Sequence, residues 1–344
     1  MFLKKLKIVR YIYWKIRDKR LLKEHYQINL RKGGTEYAEI CKEIDLLRSR
    51  KAPLPAMQAA IGKKTDYIIS VIEKTCADVI DRYLEAESEP KDQMHGGTVS
   101  PNIWVFWWTG EETAPELVRA CIHSIRLRAN GHPVVVLDQN NYQSYVQIPE
   151  HILEKHAAGR IGHAHFSDIL RLSLLAKYGG AWIDATVFLS QPLPDVVFQN
   201  DFYSLRQYDP DATYPSKSRW CTYFLAGNSA FPLFGFVRDC LTEYWKKNNS
   251  DIDYLLFDYV ILLAYRRLPS VREAVDRLPD NNPYRMELME RISAPYSDKL
   301  FTLLSTSDTF ASKLSWRYPN LTAVTKAGEE TNYGHFLSLY LPER

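Results

Sequence analysis

The sequence has few cysteines for its length, and their spacing fits neither a disulfide scaffold nor a zinc site. Five occur in 344 residues, the number is odd, and no two of them form a CxxC pair. A disulfide scaffold needs an even set and a zinc cluster needs closely spaced ligands, so we expect neither. This usage is typical of a reducing compartment and predicts a cytoplasmic protein.

Long apolar runs and glycine-rich nucleotide loops are also missing. No run of about 18 apolar residues exists, which argues against a transmembrane helix, and the N-terminus lacks the apolar core and cleavage site of a signal peptide. GxGxxG, Walker A, HExxH and GxSxG motifs are absent. If the protein binds a nucleotide diphosphate, a divalent metal ion and basic side chains must neutralise its charge.

Aromatic residues, by contrast, are abundant. They make up 13% of the chain, with 8 Trp and 22 Tyr, and 46% of the residues are hydrophobic. A chain of this length and composition can bury a sizeable core. Flat rings stack on sugars and bases, so the aromatic content is compatible with a sugar-binding cleft as well as with an aromatic core.

Positive charge is concentrated at the N-terminus. Residues 1–32 carry eleven Lys and Arg against two acidic residues, a net charge of +9, which leaves −6 for the rest of the chain. Aromatic and aliphatic residues interleave with these cations, and such a helix is suited to an anionic membrane surface. The alternatives are a solvated helix on the main domain and a nucleic-acid-binding arm. Because the rest of the chain is acidic, we expect no nucleic-acid partner.

The hydrophobic pattern divides the chain into an N-terminal helical region, residues 1–98, and a second domain, residues 99–344. Helical spacing covers 36–50 and 65–87, and the polar stretch 88–102 follows. Apolar strands then alternate with helices: strands at 103–108, 134–138 and 181–184, and helices at 114–129, 149–157 and 166–178. This order predicts an α/β fold with a mostly parallel sheet, whose ligands bind beyond the carboxyl ends of the strands.

Three charged residues lie around the helix–strand junction within residues 162–194. Asp168 and Arg171 are one turn apart on an apolar helix that ends at Gly179-Gly180, and Asp184 follows a short apolar strand. A charge between apolar runs is costly unless a partner or ligand compensates it. The pattern therefore indicates a binding site, with a simple helix salt bridge between Asp168 and Arg171 as the alternative.

The segment SDILRLSLLAKYGGAWIDATV, preceded by PNIWVFWWTG and VVVLDQNN, resembles bacterial capsular polysaccharide synthesis proteins. These are GT-A glycosyltransferases related to the mannosyltransferase and large clostridial toxin glycosyltransferase group. The resemblance covers roughly residues 100–340. It implies a Rossmann-like GT-A domain after an N-terminal helical extension.

The resemblance also implies which residues bind the donor. Trp107 or Trp108 would stack on the nucleobase, unless both are core residues. Asp138 would bond the base or ribose, or else only close its own turn. The donor sugar and its phosphates would be bound by Ser167, Asp168, Arg171 and Asp184.

A divalent metal is implied by the same resemblance. Asp184 corresponds to the first acid of a DxD motif that holds ribose and Mn²⁺ or Mg²⁺, but the motif reads Asp184-Ala185-Thr186 here. The missing second carboxylate should weaken metal binding. The implied ligands are Asp184, Thr186 and His335, with Asp308 as a further candidate; His335 is alternatively a structural histidine.

The segment KLSWRYPN near the C-terminus brings together Lys313, Trp316 and Arg317. In related enzymes such a segment closes over the pyrophosphate, where a cation would stabilise the leaving nucleotide. The alternative is a pair of ordinary surface cations.

The apolar helix 253–267 contains Asp258, which is a candidate base facing the acceptor or a buried hydrogen-bonded carboxyl; Asp253 is a second candidate base. His163 and His165 lack zinc-ligand partners in the sequence and are interpreted as cleft lining.

These predictions combine into one function. The protein would transfer a hexose from a nucleotide sugar, with a UDP-sugar favoured, to a lipid-linked or growing polysaccharide acceptor, with retention of configuration. Its catalytic residues would be Asp168, Arg171, Asp184 and Asp258. It would work at the inner face of the cell membrane, held there by residues 1–32. The alternative is a non-catalytic protein that binds sugars or nucleotide sugars within a membrane-bound assembly.

Overall fold

The structure is a computed structural model that describes residues 2–88, 100–319 and 321–341, with side chains from residue 20 onward. Three helices come first: α1 (Phe2–Ser49), α2 (Leu54–Thr75) and α3 (Ala77–Ser88). The stretch predicted as one helix over 65–87 is therefore two helices, which meet at Cys76. Residues 50–53, which end in Pro53, separate α1 from α2.

Helix α1 is interrupted at Gly34, whose φ of 78° and ψ of −173° are not helical. Glycine adopts a positive φ without steric cost because it has no Cβ. The chain folds back at this point: Nδ1 of His25 lies 3.3 Å from an oxygen of Asp45, and Nζ of Lys42 lies 5.4 Å from the centre of the Tyr26 ring. The predicted helix at 36–50 is the second arm of this hairpin.

Among the described residues, the central sheet has five strands: β1 (Ile103–Phe106), β2 (Val134–Leu137), β3 (Gly180–Ile183), β5 (Phe202–Ser204) and β6 (Phe224–Gly227). They lie side by side in the order β2-β1-β3-β6-β5. Strand β1 is parallel to β2 and β3, whereas β6 is antiparallel to both β3 and β5. Only β6 runs against the rest, so the predicted α/β fold with a mostly parallel sheet flanked by helices is confirmed.

The first strand is shorter than the apolar run that predicted it. IWVFWW predicted a strand over 103–108, but β1 ends at Phe106 because a turn begins at Trp107, whose carbonyl accepts a hydrogen bond of 3.0 Å from the amide of Gly110. The two tryptophans therefore stand beyond the carboxyl end of the strand, where α/β sheets bind ligands.

Helices cover the sheet. The described ones are α4 (Glu116–Arg128), α5 (Glu150–Ala157), α6 (His163–Tyr178), α7 (Val196–Gln199), α8 (Pro232–Lys247), α9 (Leu256–Arg267), α10 (Pro269–Arg277), α11 (Glu287–Glu290), α12 (Asp298–Thr306) and α13 (Asn332–Tyr340). Helix α6 packs on α8, and α8 packs on α9. Because α2 and α3 pack on these same helices, the N-terminal helices share one hydrophobic core with the sheet.

A second, two-stranded sheet pairs β4 (Val187–Leu189) with β7 (Ala311–Lys313). The strands are antiparallel, and Val187 lies opposite Lys313. Phe188 of β4 packs against Phe336 of α13, within a smaller hydrophobic core. This pairing brings the distant residue Lys313 to the segment that carries Asp184.

Two organisational predictions concern the N-terminal third of the chain. The proposed boundary between 1–98 and 99–344 lies in residues 89–99, outside the described residues, and it stays a prediction. In the part of the chain that the structure describes, no helix combines the length and the apolar character needed to cross a bilayer.

Candidate active site

A cleft of about 630 Å³ opens beyond the carboxyl ends of β1 and β3, a size usual for small-molecule sites. Of the predicted site residues, the structure places the following ones in its lining: Trp107, Trp108, His163, His165, Ser167, Asp168, Arg171, Asp184, Thr186, Asp258, Lys313, Trp316 and Arg317. Residues from five separate segments of the sequence thus meet at one edge of the sheet, as the parallel strand order predicts.

The turn between α6 and β3 needs both of its glycines. Gly179 ends the helix at φ 68°, and Gly180 begins the strand at φ 89°. A Cβ at position 180 would lie 2.5 Å from the carbonyl oxygen of Asn102 on the neighbouring chain segment, closer than any Cβ contact tolerates. The tight reversal places the start of α6 and the end of β3 side by side, and Asp168, Arg171 and Asp184 therefore meet.

Arg171 holds the two carboxylates together. Its Nη2 lies 3.1 Å from Oδ1 of Asp184 and 3.4 Å from Oδ1 of Asp168. Its Nη1 donates to the backbone carbonyl of Thr222. The guanidinium is only 4% exposed and stacks over the Trp182 ring at 4.9 Å. Planar delocalised charge suits such stacking.

Asp184 is the most heavily bonded carboxylate of the cleft. Its Oδ1 accepts a hydrogen bond of 2.8 Å from Nε1 of Trp182, and its Oδ2 accepts one of 2.7 Å from Nζ of Lys313. Burial alone would raise the pKa of Asp184, but the charges of Lys313 and Arg171 outweigh it and lower the pKa to about 2. Asp184 is therefore ionised throughout the physiological pH range.

Asp168 and Asp258 hold their protons more tightly. Burial raises the pKa of Asp168, although Arg171 opposes this effect. Burial also raises the pKa of Asp258 to about 7, although Nε1 of Trp220 donates a hydrogen bond of 2.9 Å to its Oδ1. A carboxyl that titrates near neutral pH is suited to proton transfer.

The tryptophans differ in how they are packed. Trp108 lies between the rings of His156 and His163, each 4.7 Å away, and it is fixed by these neighbours. Trp107 is half-buried and meets the edge of Trp316 at 5.9 Å. Trp316 is 39% exposed. Trp107 and Trp316 thus form the open aromatic wall of the cleft.

The three predicted metal ligands are not brought together: Asp184 and Thr186 line the cleft, whereas His335 does not. Nζ of Lys313 bonds Oδ2 of Asp184 at 2.7 Å and Oγ1 of Thr186 at 2.8 Å, so one ammonium occupies both oxygens. Two positive unit charges about 4 Å apart near a protein surface repel each other by about 4 kcal/mol. A divalent ion beside the ammonium of Lys313 would double this repulsion. Among the described residues, no three His, Cys, Asp or Glu side chains are placed to share a metal.

His335 lies elsewhere in the fold. Its ring packs 4.0 Å from the ring of Tyr296, and its Nδ1 is 3.4 Å from a carboxylate oxygen of Glu330. It stands outside the cleft lining, as does the exposed Asp308. The Mn²⁺ or Mg²⁺ expected from the family resemblance stays a prediction, and this donor set does not favour it.

The family comparison agrees with the location of the cleft. The family described as capsular polysaccharide synthesis protein matches residues 55–335. The chain belongs to this family. The match includes the end of β1, the whole α6–β3 junction and Lys313, and therefore every element that lines the cleft.

Two fungal proteins are similar over a shorter region. The O-glycosyltransferase PaGT of Phomopsis amygdali is 30% identical over 138 residues, 37% of this chain and 32% of that protein. The O-glycosyltransferase braB of Annulohypoxylon truncatum is 31% identical over 147 residues, 40% of this chain and 34% of that protein. The chain thus spans about a third of the length of these curated relatives.

Two other predicted site residues, Asp138 and Asp253, bond to neighbours outside the cleft lining. Asp138 closes a turn: its Oδ1 accepts a hydrogen bond of 2.7 Å from the amide of Asn140, and it stands outside the cleft lining. Asp253 faces the N-terminal helices, where its Oδ2 lies 2.5 Å from Nζ of Lys64. The turn interpretation of Asp138 fits these contacts.

Three residues in the cleft or bonded to its lining carry no signal in the sequence. Tyr223 lines the cleft, and Nζ of Lys313 lies 4.9 Å from the centre of its ring. Trp220 holds Asp258, and Tyr254 is 74% exposed at the cleft margin. They come from the segments before β6 and α9. Only the antiparallel pairing of β6 with β3, with Phe224 opposite Ile183, brings Tyr223 beside Asp184.

We expect Arg171→Met to destabilise the fold strongly, because two carboxylates would lose their common partner. Breaking a buried ion pair costs about 3–5 kcal/mol, measured as the free energy of unfolding in urea at pH 7. Arg126→Met is the matched control, since Arg126 pairs with Glu111 at the surface and an exposed pair is worth about 1 kcal/mol or less. Equal losses in the two variants would contradict the assignment of Arg171.

Proposed function

We propose that this protein is a glycosyltransferase that transfers a hexose from a nucleotide sugar, with a UDP-sugar favoured, to a saccharide or lipid-linked saccharide acceptor. The observation that carries the proposal is the cleft at the strand ends. It combines an ionised carboxylate, Asp184, with cations and an open tryptophan wall in a member of the capsular polysaccharide synthesis family. The O-glycosyltransferase relatives support an oxygen atom as the acceptor.

The donor would lie across the cleft with its base against Trp107. Base stacking on an aromatic ring contributes about 1–3 kcal/mol. Asp168 and Ser167 would bind the sugar hydroxyls, and the cations at the other wall would bind the diphosphate. Arg171 is only 4% exposed and contacts both carboxylates, so we assign it the role of holding Asp168 and Asp184 in position.

In the transfer step the bond between the anomeric carbon and the diphosphate oxygen breaks, and its electron pair leaves with the nucleotide. The acceptor oxygen forms the new bond to the anomeric carbon and gives up its proton. In the retaining reaction that the family resemblance implies, the leaving phosphate oxygen takes this proton. The raised pKa of Asp258 favours the alternative, in which that carboxylate takes it and the configuration inverts.

The place of action would be the inner face of the cell membrane. The cationic helical arm at residues 1–32 supports this proposal by its charge of +9. Basic residues near an anionic surface each contribute about 1 kcal/mol of attraction. A membrane location would bring the cleft to a lipid-linked acceptor.

A non-catalytic binding protein is the second candidate. The Asp184-Ala185-Thr186 sequence favours it, because the second acid of the DxD motif is missing and Lys313 neutralises the first. Such a protein would hold a nucleotide sugar without breaking it.

Incubation with a panel of UDP- and GDP-hexoses tests the main proposal. We expect release of nucleoside diphosphate from a UDP-hexose, and Trp107→Ala should raise KM at least fivefold because it removes stacking worth about 1–3 kcal/mol. The melting temperature of the variant provides the folding control. Nucleotide-sugar binding without release or transfer, over a range of saccharide acceptors, would instead support the binding protein.

The pH dependence of the reaction tests Asp258. If its carboxylate accepts the proton, kcat/KM should rise with pH and level off above about 7, because the protonated form cannot act as a base. Asp258→Asn should lower kcat by about 100-fold or more and remove this rise. Asp253→Asn is the matched control and should keep the profile. Full activity of Asp258→Asn would assign the proton to the leaving phosphate, and analysis of the product anomer would then show retention.

Vesicle binding tests the N-terminal arm. Replacing Lys4, Lys5, Lys7 and Arg10 by Gln removes four charges and should weaken binding to phosphatidylglycerol vesicles at least 100-fold, since each charge contributes about 1 kcal/mol. Sedimentation measures the bound fraction, and phosphatidylcholine vesicles should bind neither protein. The control carries four Gln at exposed positions, Lys246, Arg272, Lys299 and Lys326. Equal sedimentation of both variants would refute the anchor.

A further inference from the structure

The ammonium group of Lys313 lies where the sequence pattern leads one to expect a metal ion. It contacts the carboxylate of Asp184 at 2.7 Å and the hydroxyl of Thr186 at 2.8 Å. These are the first and third residues of the Asp184-Ala185-Thr186 motif. A single cation thus bonds both side chains that the motif would offer to a divalent ion.

The backbone fixes this position. Lys313 is the last residue of β7, opposite Val187 of β4, and its amide donates a hydrogen bond of 2.9 Å to the carbonyl of Arg285. The amide of Leu314 donates another of 2.9 Å to the carbonyl of Thr186. These hydrogen bonds hold the backbone of Lys313 beside the Asp184–Thr186 segment, within reach of both side chains.

The ammonium also has capacity left for a ligand. A lysine carries three N–H donors, and the contacts to Asp184 and Thr186 use two of them. The side chain is one quarter exposed and lines the cleft. These two hydrogen bonds leave the third N–H donor over, in a side chain that is partly exposed to the cleft.

A second cation stands on the same wall. Arg317 is exposed, lines the cleft, and lies 4.9 Å above the ring of Trp316. Lys313 and Arg317 are four residues apart on the segment that leads out of β7. Two cations on the wall that also carries Trp316 supply positive charge and hydrogen-bond donors of the kind that bind phosphates.

We propose that Lys313, held by Asp184 and Thr186 and assisted by Arg317, binds the diphosphate of the donor in place of a divalent metal ion. This inference rests on the proposed function. It makes nucleotide binding independent of Mn²⁺ and Mg²⁺, and it gives the Asp-Ala-Thr motif a role: Asp184 and Thr186 orient a lysine. The second acid is then unnecessary, because no metal needs it.

Calorimetric titration with UDP and GDP tests the proposal on the full chain. We expect the wild-type Kd for the preferred nucleotide to agree within twofold in excess EDTA and in millimolar Mn²⁺. Lys313→Met keeps the length of the side chain and removes the charge. It should weaken binding at least tenfold, because a charge-assisted hydrogen bond is lost, and Mn²⁺ should not restore the affinity.

Lys177→Met is the matched control. Lys177 lies on α6 outside the cleft, where its Nζ bonds the carbonyl of Tyr145 at 2.7 Å, so its replacement should leave the Kd unchanged. The wild-type comparison of EDTA with Mn²⁺ needs no variant, so it remains decisive even if Lys313→Met folds poorly. Tenfold tighter wild-type binding in Mn²⁺ would overturn this inference and leave the proposed function standing. Failure of both nucleotides to bind in every condition would reject both proposals.

Electron paramagnetic resonance of Mn²⁺ gives a second readout without nucleotide. We expect the wild-type protein to leave Mn²⁺ free at micromolar concentration. A double variant, Lys313→Ala with Thr186→Asp, removes the cation and restores an acid pair, and it should bind Mn²⁺ and require it for nucleotide binding. Micromolar Mn²⁺ binding by the wild-type protein would overturn the inference.

Discussion

A carboxylate at the end of a buried strand is stable only if cations or hydrogen bonds replace its lost water, and the site is built around that requirement at Asp184. Arg171 comes from the preceding helix, 13 residues away, whereas Lys313 comes from 129 residues further along the chain. The Gly179-Gly180 turn places Arg171 beside Asp184, and the pairing of β4 with β7 places Lys313 there. Both features are needed because the charges of Arg171 and Lys313 together keep Asp184 ionised.

The same network holds the fold together and prepares the cleft. Arg171 is almost completely buried, stacks on Trp182 and holds the two carboxylates together. Lys313 shares Asp184 with Arg171 but keeps part of its side chain exposed. A salt bridge and a binding site are therefore two aspects of one arrangement, and neither interpretation of the charged residues excludes the other.

The N-terminal helices take part in shaping the cleft. Nζ of Lys32 in α1 lies 3.0 Å from Oδ1 of Asp251, and Nε2 of His165 lies 3.7 Å from the other oxygen of that carboxylate. Burial lowers the pKa of His165, but the charges of Asp251 and Asp168 outweigh burial and raise it. A chain of charges thus connects the helical region, through Asp251, to a histidine of the cleft. Lys32 is the last cation of the basic arm, so this contact links the end of the arm to the α/β unit.

The sequence alone determined the first three strands of the α/β unit and the helices between them, the cleft at the carboxyl ends of the strands, and the meeting of Asp168, Arg171 and Asp184 in it. Those predictions rest on local pattern: apolar periodicity, a Gly-Gly turn, and charges enclosed by apolar runs. The tertiary structure alone decided that Lys313 bonds both Asp184 and Thr186, that Tyr223 lines the cleft, that Trp220 donates a hydrogen bond to Asp258, and that His335 lies elsewhere. These contacts depend on the pairing of β7 with β4 and of β6 with β3. The partner of each strand is decided by packing between segments far apart in the sequence, and the local pattern that predicts a strand does not name that partner.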